Sequence, residues 1–204
     1  MRTREFAIVC VVALFVVGFA PAAAEKGDKQ ISFGILSSMP TDDLVDVLVT
    51  GTQTTELDSA IGAFADFEFH VTDLIGIEPG VSSVDYDLTV IEPGFPIVNG
   101  DTSLMTVTVN VNFHFKRDNG LDLFVGPTVG YGFWDDIQVD GFPAPFSTDE
   151  EFLYGINAGL GYPFGEGGWG FTAELGYLSV DVAPPGGDIG VSPIQAKVGL
   201  SYSF

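Results

Sequence analysis

From Met105 to Phe115 every second residue is apolar (Met105, Val107, Val109, Val111, Phe113, Phe115), and the residues between them are polar (Thr106, Thr108, Asn110, Asn112, His114). Successive side chains point to opposite faces only in an extended strand, so this run has one apolar face and one polar face. The same period of two returns at Tyr154, Ile156, Ala158, Leu160, Tyr162 and Phe164, set against Gly155, Asn157, Gly159 and Gly161. It returns again at Ala196, Val198, Leu200, Tyr202 and Phe204, set against Gln195, Lys197, Gly199, Ser201 and Ser203. Two architectures accept such strands: a soluble sandwich with its apolar faces inside, and a membrane barrel with its apolar faces toward lipid.

The aromatic residues separate the two. A sandwich buries them at mid-strand, whereas here they gather at strand ends on the apolar parity. Phe67/Phe69, Phe113/Phe115, Tyr162/Phe164 and Tyr202/Phe204 close four strands, and Trp169 and Phe171 open another at the same level. Tyr131, Phe133, Tyr154 and Tyr177 fall at the opposite level. Two aromatic belts are what strands crossing both interfaces of a bilayer place there.

Eight strand-like runs are expected near 30–38, 60–71, 74–90, 104–116, 121–134, 151–164, 169–182 and 191–204. Their connectors alternate in length. Thr72-Asp73, Arg117-Asp118-Asn119-Gly120 and Gly165-Glu166-Gly167-Gly168 are short and rich in turn residues, while 39–59, 91–103, 135–150 and 183–190 are long. The expected fold is therefore all-β: a transmembrane eight-stranded antiparallel up-and-down β-barrel, with short turns and both termini on the periplasmic side and long loops outward. In the first long loop, 41–48 carries a threonine N-cap, two early acids and apolar residues at helical spacing, which predicts a short helix. In the third strand, Glu78-Pro79-Gly80 predicts a bulge that resets the register beyond it.

The first residues read as an export address. Arg2 and Arg4 precede an apolar run from Phe6 to Phe19, and Ala22-Ala23-Ala24 is a small-residue cleavage site. A signal-peptide helix over 1–24 would precede a barrel domain over 25–204, delivered to the cell outer membrane with cleavage near Ala24. The only cysteine, Cys10, leaves with the leader, so disulfides and Cys-ligated metals are excluded from the mature chain. With a net charge of −21, nucleic acid is an implausible partner, because phosphate binding needs clustered Lys and Arg. The acidity reads first as solubility of exposed loops. Asp135, Asp136, Asp140, Asp149, Glu150 and Glu151 in the third loop offer oxygen ligands to Ca²⁺ or Mg²⁺, without the spacing of an EF-hand.

Three stretches carry a family resemblance: Thr72-Asp73-Leu74-Ile75-Gly76-Ile77-Glu78; Phe124-Val125-Gly126 followed by Tyr131, Phe133, Trp134 and Asp135; and the closing Gly199-Leu200-Ser201-Tyr202-Ser203-Phe204. The sequence resembles the OmpW-like family of small outer-membrane barrels, close in architecture to OmpA-type and OmpX-type barrels. The resemblance implies passive passage of small hydrophobic molecules by a narrow or lateral route, and recognition of the terminal Phe204 by the outer-membrane insertion machinery. The sequence departs from that family before the fourth strand, where Gly100-Asp101-Thr102-Ser103-Leu104 holds no proline.

An eight-stranded barrel has an interior just wide enough for side chains or one small ligand. The candidate lumen set is Asp66, Glu68, Glu78, Asp122, Glu174 and Lys197, together with His70, and Glu174 and Lys197 lie on neighbouring strands with shared parity. They would form an ion pair in a plug, since buried charges need partners to be tolerated. Phe142, Pro143, Pro145 and Phe146 would form a hydrophobic portal at the outer rim with the upper belt. His70 and His114 fall at the periplasmic end, and no GxSxG, HExxH or CxxC motif occurs, so no catalytic residue, metal or cofactor is assigned and no enzyme activity is expected. Two functions stay open, passage of small hydrophobic solutes and a sealed barrel presenting acidic loops to lipopolysaccharide, ions or other surfaces, with a lipid-modifying barrel enzyme as the remote alternative.

Overall fold

The structure is a computed structural model that describes residues 27–41, 44–48, 51–91, 94, 97–116, 120–136, 138–140, 150–164, 167–182 and 189–204. The expected leader with its cleavage site, the turn residues 117–119 and 165–166, and Phe142, Pro143, Pro145, Phe146 and Asp149 lie outside the described residues. The strands in chain order are β1 (Lys29–Pro40), β2 (Leu44–Leu48), β3 (Gly51–Leu57), β4 (Ala60–Thr72), β5 (Ile75–Ile91) and β6 (Val98–Lys116). They continue as β7 (Asp122–Trp134), β8 (Gln138–Val139), β9 (Glu150–Pro163), β10 (Trp169–Val182), β11 (Ile189–Val191) and β12 (Pro193–Ser203).

Eight of these, β1, β4, β5, β6, β7, β9, β10 and β12, pair antiparallel in sequence order and close into a barrel when β12 returns to β1. The seam runs unbroken from Gln30↔Ser203 to Pro40↔Pro193. At its foot the Phe204 amide donates to the Lys29 carbonyl (2.9 Å) and the Lys29 amide to the Phe204 carbonyl (3.2 Å). Closure leaves each of the eight barrel strands paired on both sides, the condition for strands to cross hydrocarbon. No described helix is long and apolar enough to cross a membrane, which says nothing of a barrel.

Local chemistry shapes the turn end. The Thr72 hydroxyl accepts from the amides of Leu74 (3.2 Å) and Ile75 (3.0 Å), which closes the β4–β5 hairpin, and Gly120 takes a positive φ of 82° just before β7. At the loop end the outcome departs from expectation. Residues 44–48 form a strand rather than a helix, hairpinned with β3 from Leu44↔Thr55 to Leu48↔Gly51, and β3 continues onto β5 through Leu57↔Leu88. Val45 and Val47 are paired in register with Thr54 and Thr52, β-branched residues that favour strands, and an eight-residue helix with a costly nucleus cannot compete with a hairpin that prolongs an existing sheet. Two of the long connectors shrink for the same reason: β5 runs to Ile91, β6 begins at Val98, and β8 pairs with β6 at Gly100↔Val139.

Proline 79 also behaves differently from expectation. Pairing of β4 with β5 stops at Asp66↔Gly80 and resumes at Phe69↔Ile77 in the same register, so the missing amide interrupts the ladder without shifting it; the shift occurs lower, between His70 and Thr72. A second interruption lies between β6 and β7, from Asn110↔Thr128 to Phe113↔Val125, opposite Pro127. Both prolines face outward.

The interior divides into two halves. Toward the loops it is apolar: Leu36, Phe64, Val84, Tyr86, Leu104, Trp134, Leu153, Leu178, Val180 and Val191 form one buried cluster. The Tyr86 and Ser38 hydroxyls share a hydrogen bond of 2.6 Å there, and the Tyr86 ring lies 5.9 Å from that of Trp134. Toward the turns every described lumen position is polar, small or charged apart from Phe124. Leu153 is fully buried, so Leu153→Ala should lower unfolding free energy by about 2–5 kcal/mol, read as a reduced urea midpoint for the barrel refolded in lipid vesicles.

Candidate functional site

The polar half is built from alternate residues of all eight barrel strands, and its contacts follow from register. Glu174 on β10 is paired directly with Lys197 on β12, so their side chains enter the lumen side by side. The Lys197 ammonium lies 3.2 Å from Glu174 Oε1 and donates to Asp66 Oδ2 over the intervening β1 at 3.2 Å. All three side chains are buried, and the ammonium also sits 5.3 Å from the centre of the Phe64 ring, the underside of the apolar half. Glu78 joins this layer by accepting from Asn110 Nδ2 at 2.7 Å. Asp66, Glu78 and Glu174 bring carboxylate oxygens within 4.8 Å of one another, and Lys197 is the cation that holds them together.

Below lies a second cluster. Glu68 and His70 project from β4 and His114 from β6, with β5 between them. At this level β5 carries Gly76, paired with His70 on one side and Asn112 on the other. A Cβ at Gly76 would fall 2.1 Å from Glu68 Oε1, so the absence of a side chain there lets β4 and β6 side chains meet over β5. His114 Nε2 lies 2.8 Å from Glu68 Oε1, and His114 Nδ1 lies 3.0 Å from Asp122 Oδ2 on β7. His70 Nε2 is 3.5 Å from Glu68 Oε2, with the two imidazole centres 4.6 Å apart. Amides complete the layer: Asn157 Nδ2 donates to Asn112 Oδ1 (3.0 Å), and Asn112 Nδ2 donates to Glu68 Oε1 (3.1 Å).

A cavity of about 10 Å³, the space of one water molecule, lies at mid-lumen among Asp66, Ser82, Asn110, Asn157, Gln195 and Lys197. Asn110 Oδ1, Asn157 Oδ1 and Gln195 Nε2, from residues lining it, have no protein partner. Side chains of the described residues therefore fill most of this part of the lumen.

The structure places the sequence-derived candidates as follows. Asp66, Glu68, Glu78, Glu174 and Lys197 have their side chains buried in the lumen, and Asp122 is partly exposed at the turn end. On the outer face, Phe69, Phe113, Phe115, Tyr162, Phe164, Trp169, Phe171, Tyr131, Tyr154 and Tyr177 are exposed, while Phe67, Phe133, Tyr202 and Phe204 are half-buried. Outer-face rings also touch: Trp169 and Tyr202 are 5.0 Å apart, and Tyr131 and Phe152 are 5.8 Å apart edge-on. Sequence reading paired Glu174 with Lys197 but missed Asp66 as the lysine's second partner and missed the histidine cluster. Glu68-x-His70 and Asn112-x-His114 show shared faces in sequence, but only the register across Gly76 brings them together.

The sequence pattern of one family, the outer membrane protein β-barrel domain, matches residues 7–204. No curated protein resembles the chain closely enough in sequence to count as a match. Among solved structures, the chain is similar to the outer membrane protein OprG from Pseudomonas aeruginosa, with a TM-score of 0.74 at 14% identity, covering 88% of this chain and 97% of that one. It is also similar to the outer membrane protein AlkL solved in DMPC lipid bilayers, with a TM-score of 0.65 at 19% identity over 92% of this chain and 94% of that one. The attachment invasion locus protein Ail of Yersinia pestis aligns with a TM-score of 0.53 at 15% identity over 88% of this chain and 99% of that one. These likenesses concern the fold.

Lys197→Met would leave Asp66 and Glu174 buried without their cation, and should cost about 3–5 kcal/mol of stability. Adding Asp66→Asn and Glu174→Gln to it should restore most of the loss, measured by urea unfolding of the three proteins in the same vesicles.

Proposed function

We propose that this chain, which belongs to the outer membrane protein β-barrel domain family, is an OmpW-like barrel that passes small hydrophobic molecules across the outer leaflet without chemistry. One observation carries the reading: an apolar lumen half toward the loops rests on a charged floor toward the turns. An apolar solute entering from outside would meet Leu36, Val84, Leu104, Leu153 and Leu178, then the Lys197–Asp66–Glu174 layer, where desolvated charges offer it nothing. Sideways exit through the wall is then cheaper than descent. The wall's two ladder interruptions, opposite Pro79 and Pro127, lie in the polar half, between the charged floor and the Glu68–Asn112 level below it.

Assignment to the OmpW-like branch rests on the Thr72–Glu78 hairpin sequence, the Phe124–Asp135 stretch and the terminal strand. Proline-interrupted pairing occurs here in β5 and β7 rather than before the fourth barrel strand. Export by a leader cleaved near Ala24, insertion guided by Phe204, and contact with outer-membrane lipid and lipopolysaccharide belong to the same proposal. A second reading, a sealed barrel that presents acidic loops to its surroundings, is favoured by the tight packing of the apolar half, where Leu36, Leu104 and Leu153 are fully buried.

Uptake of naphthalene by cells with an intact lipopolysaccharide layer, with and without the barrel, decides between them. The proposal expects the barrel to raise uptake several-fold, Leu153→Asn to bring it back toward the control, and Pro79→Val with Pro127→Val, which restore the missing amide donors, to lower it. Equal uptake with and without folded barrel would establish the sealed reading.

A further inference from the structure

We infer that Glu68, His70 and His114 form a binding site for one divalent transition-metal ion of the Zn²⁺ class at the periplasmic end of the lumen, with Asp122 orienting His114. The inference is independent of solute passage, since the site lies below the charged floor and needs no route through it.

The first ground is proton accounting at His114. Both of its ring nitrogens face carboxylate oxygens, Nδ1 toward Asp122 at 3.0 Å and Nε2 toward Glu68 at 2.8 Å. A neutral imidazole has a single N–H. If Nδ1 donates to Asp122, the Nε2 lone pair points at a Glu68 lone pair, and a second cation must lie between them, either a proton or a metal ion. A proton on Nε2 satisfies that contact alone.

The second ground is convergence. One donor atom from each of Glu68, His70 and His114 lies within 4.8 Å of the other two, and all three side chains are buried. Zinc bound tetrahedrally through arms of about 2.0–2.1 Å needs donors about 3.3 Å apart, so small rotations of side chains already within 4.8 Å of one another would bring them to it. Two imidazoles and one carboxylate are a donor set that suits Zn²⁺ and its neighbours rather than Ca²⁺ or Mg²⁺.

The third ground is support around the donors. Metal-binding histidines usually donate their other ring N–H to a carboxylate, which is the position Asp122 holds toward His114 Nδ1. Glu68 is itself held by Asn112 Nδ2. The backbone of His70 is tied to the chain ahead of β1, its carbonyl accepting from the Gly27 amide (2.9 Å) and its amide donating to the Asp28 carbonyl (3.0 Å). Charges also balance: a divalent ion offsets Glu68 and Asp122 with both histidines neutral. Bound there, the ion would link β4 to β6 and, through Asp122, to β7.

The chain contains only two histidines, which makes the test direct. Untagged protein purified in detergent, loaded with stoichiometric Zn²⁺ and washed, is examined by zinc X-ray absorption. The inference expects one zinc per chain with two imidazoles in its shell. Titration with Co²⁺ should give the intense visible bands of a four-coordinate ion, reversed by Zn²⁺. Asp122→Asn should weaken zinc binding by about 10- to 100-fold while keeping both imidazoles in the shell. His114→Gln, with its folded state checked by heat-modifiable gel mobility, should remove the Co²⁺ bands. An oxygen-only shell in the wild type, or His114→Gln binding zinc as tightly as wild type, would assign any bound metal to the acidic loops and overturn the site. Absence of stoichiometric binding would establish a proton as the cation between His114 and Glu68.

Discussion

In hydrocarbon a backbone amide has no water to fall back on, so the sheet must close on itself, and the β1–β12 seam is where this chain does so. Eight strands fix a narrow radius, and a narrow radius means that lumen side chains from one wall reach the opposite wall. Asp66 and Lys197, 131 residues apart in sequence, meet over β1 because closure sets β12 against its other edge. Any polar group pointing inward must then find its partner among a few neighbours. The relay from Asn157 to Asn112 to Glu68 shows how these are supplied, each amide donating to the next acceptor.

Much of this architecture was legible in the residues because a barrel strand states both faces at once. The Met105–Phe115 alternation needs no partner to be read, and the terminal strand ending in Phe204 is similar. What was not legible depends on pairing. The 41–48 segment satisfies a helix pattern locally and loses to a hairpin because β5 extends far enough to receive β3, a fact about another part of the chain. Pro79 was read as a register reset, yet β5 also pairs without a break to β6 through Pro79↔Val109, and that neighbour holds the register while the β4 side loses only its ladder contacts. The histidine cluster was invisible for a related reason: nothing in Glu68-x-His70 says that Gly76 will stand between it and His114.

Glycine is the counterpart of several large inward side chains in the lower lumen, Glu68 at Gly76 among them. A Cβ at Gly80 would meet Asp66 Oδ1 at 2.1 Å, and one at Gly159 would meet Phe124 Cζ at 2.3 Å. Like Gly76, these positions have extended backbone, so their value is the space left by a missing side chain rather than conformational freedom. The alternation of glycine with apolar residues along β9 is therefore the complement of the bulky residues opposite, and a barrel of this radius could not hold both a carboxylate layer and Phe124 without it.

The division of the lumen has an electrostatic consequence. Among the described side chains of the turn-side half, Asp66, Glu68, Glu78, Asp122 and Glu174 face one lysine and two histidines, so negative charge exceeds fixed positive charge there. Buried carboxylates in excess must be compensated by protons or by a cation, and Lys197 can serve only the upper group that it touches. The apolar ceiling from Phe64 upward contributes one ring face to that ammonium, and its aliphatic neighbours offer no dipoles to stabilise a charge. Compensation for Glu68 and Asp122 therefore comes from beside or below them. The sides are occupied by Asn112 and the two histidines, whose amide and imidazole groups redistribute charge without supplying it unless they gain a proton or bind an ion. The cation that balances the foot of the barrel enters from the turn end, where Asp122 remains partly exposed.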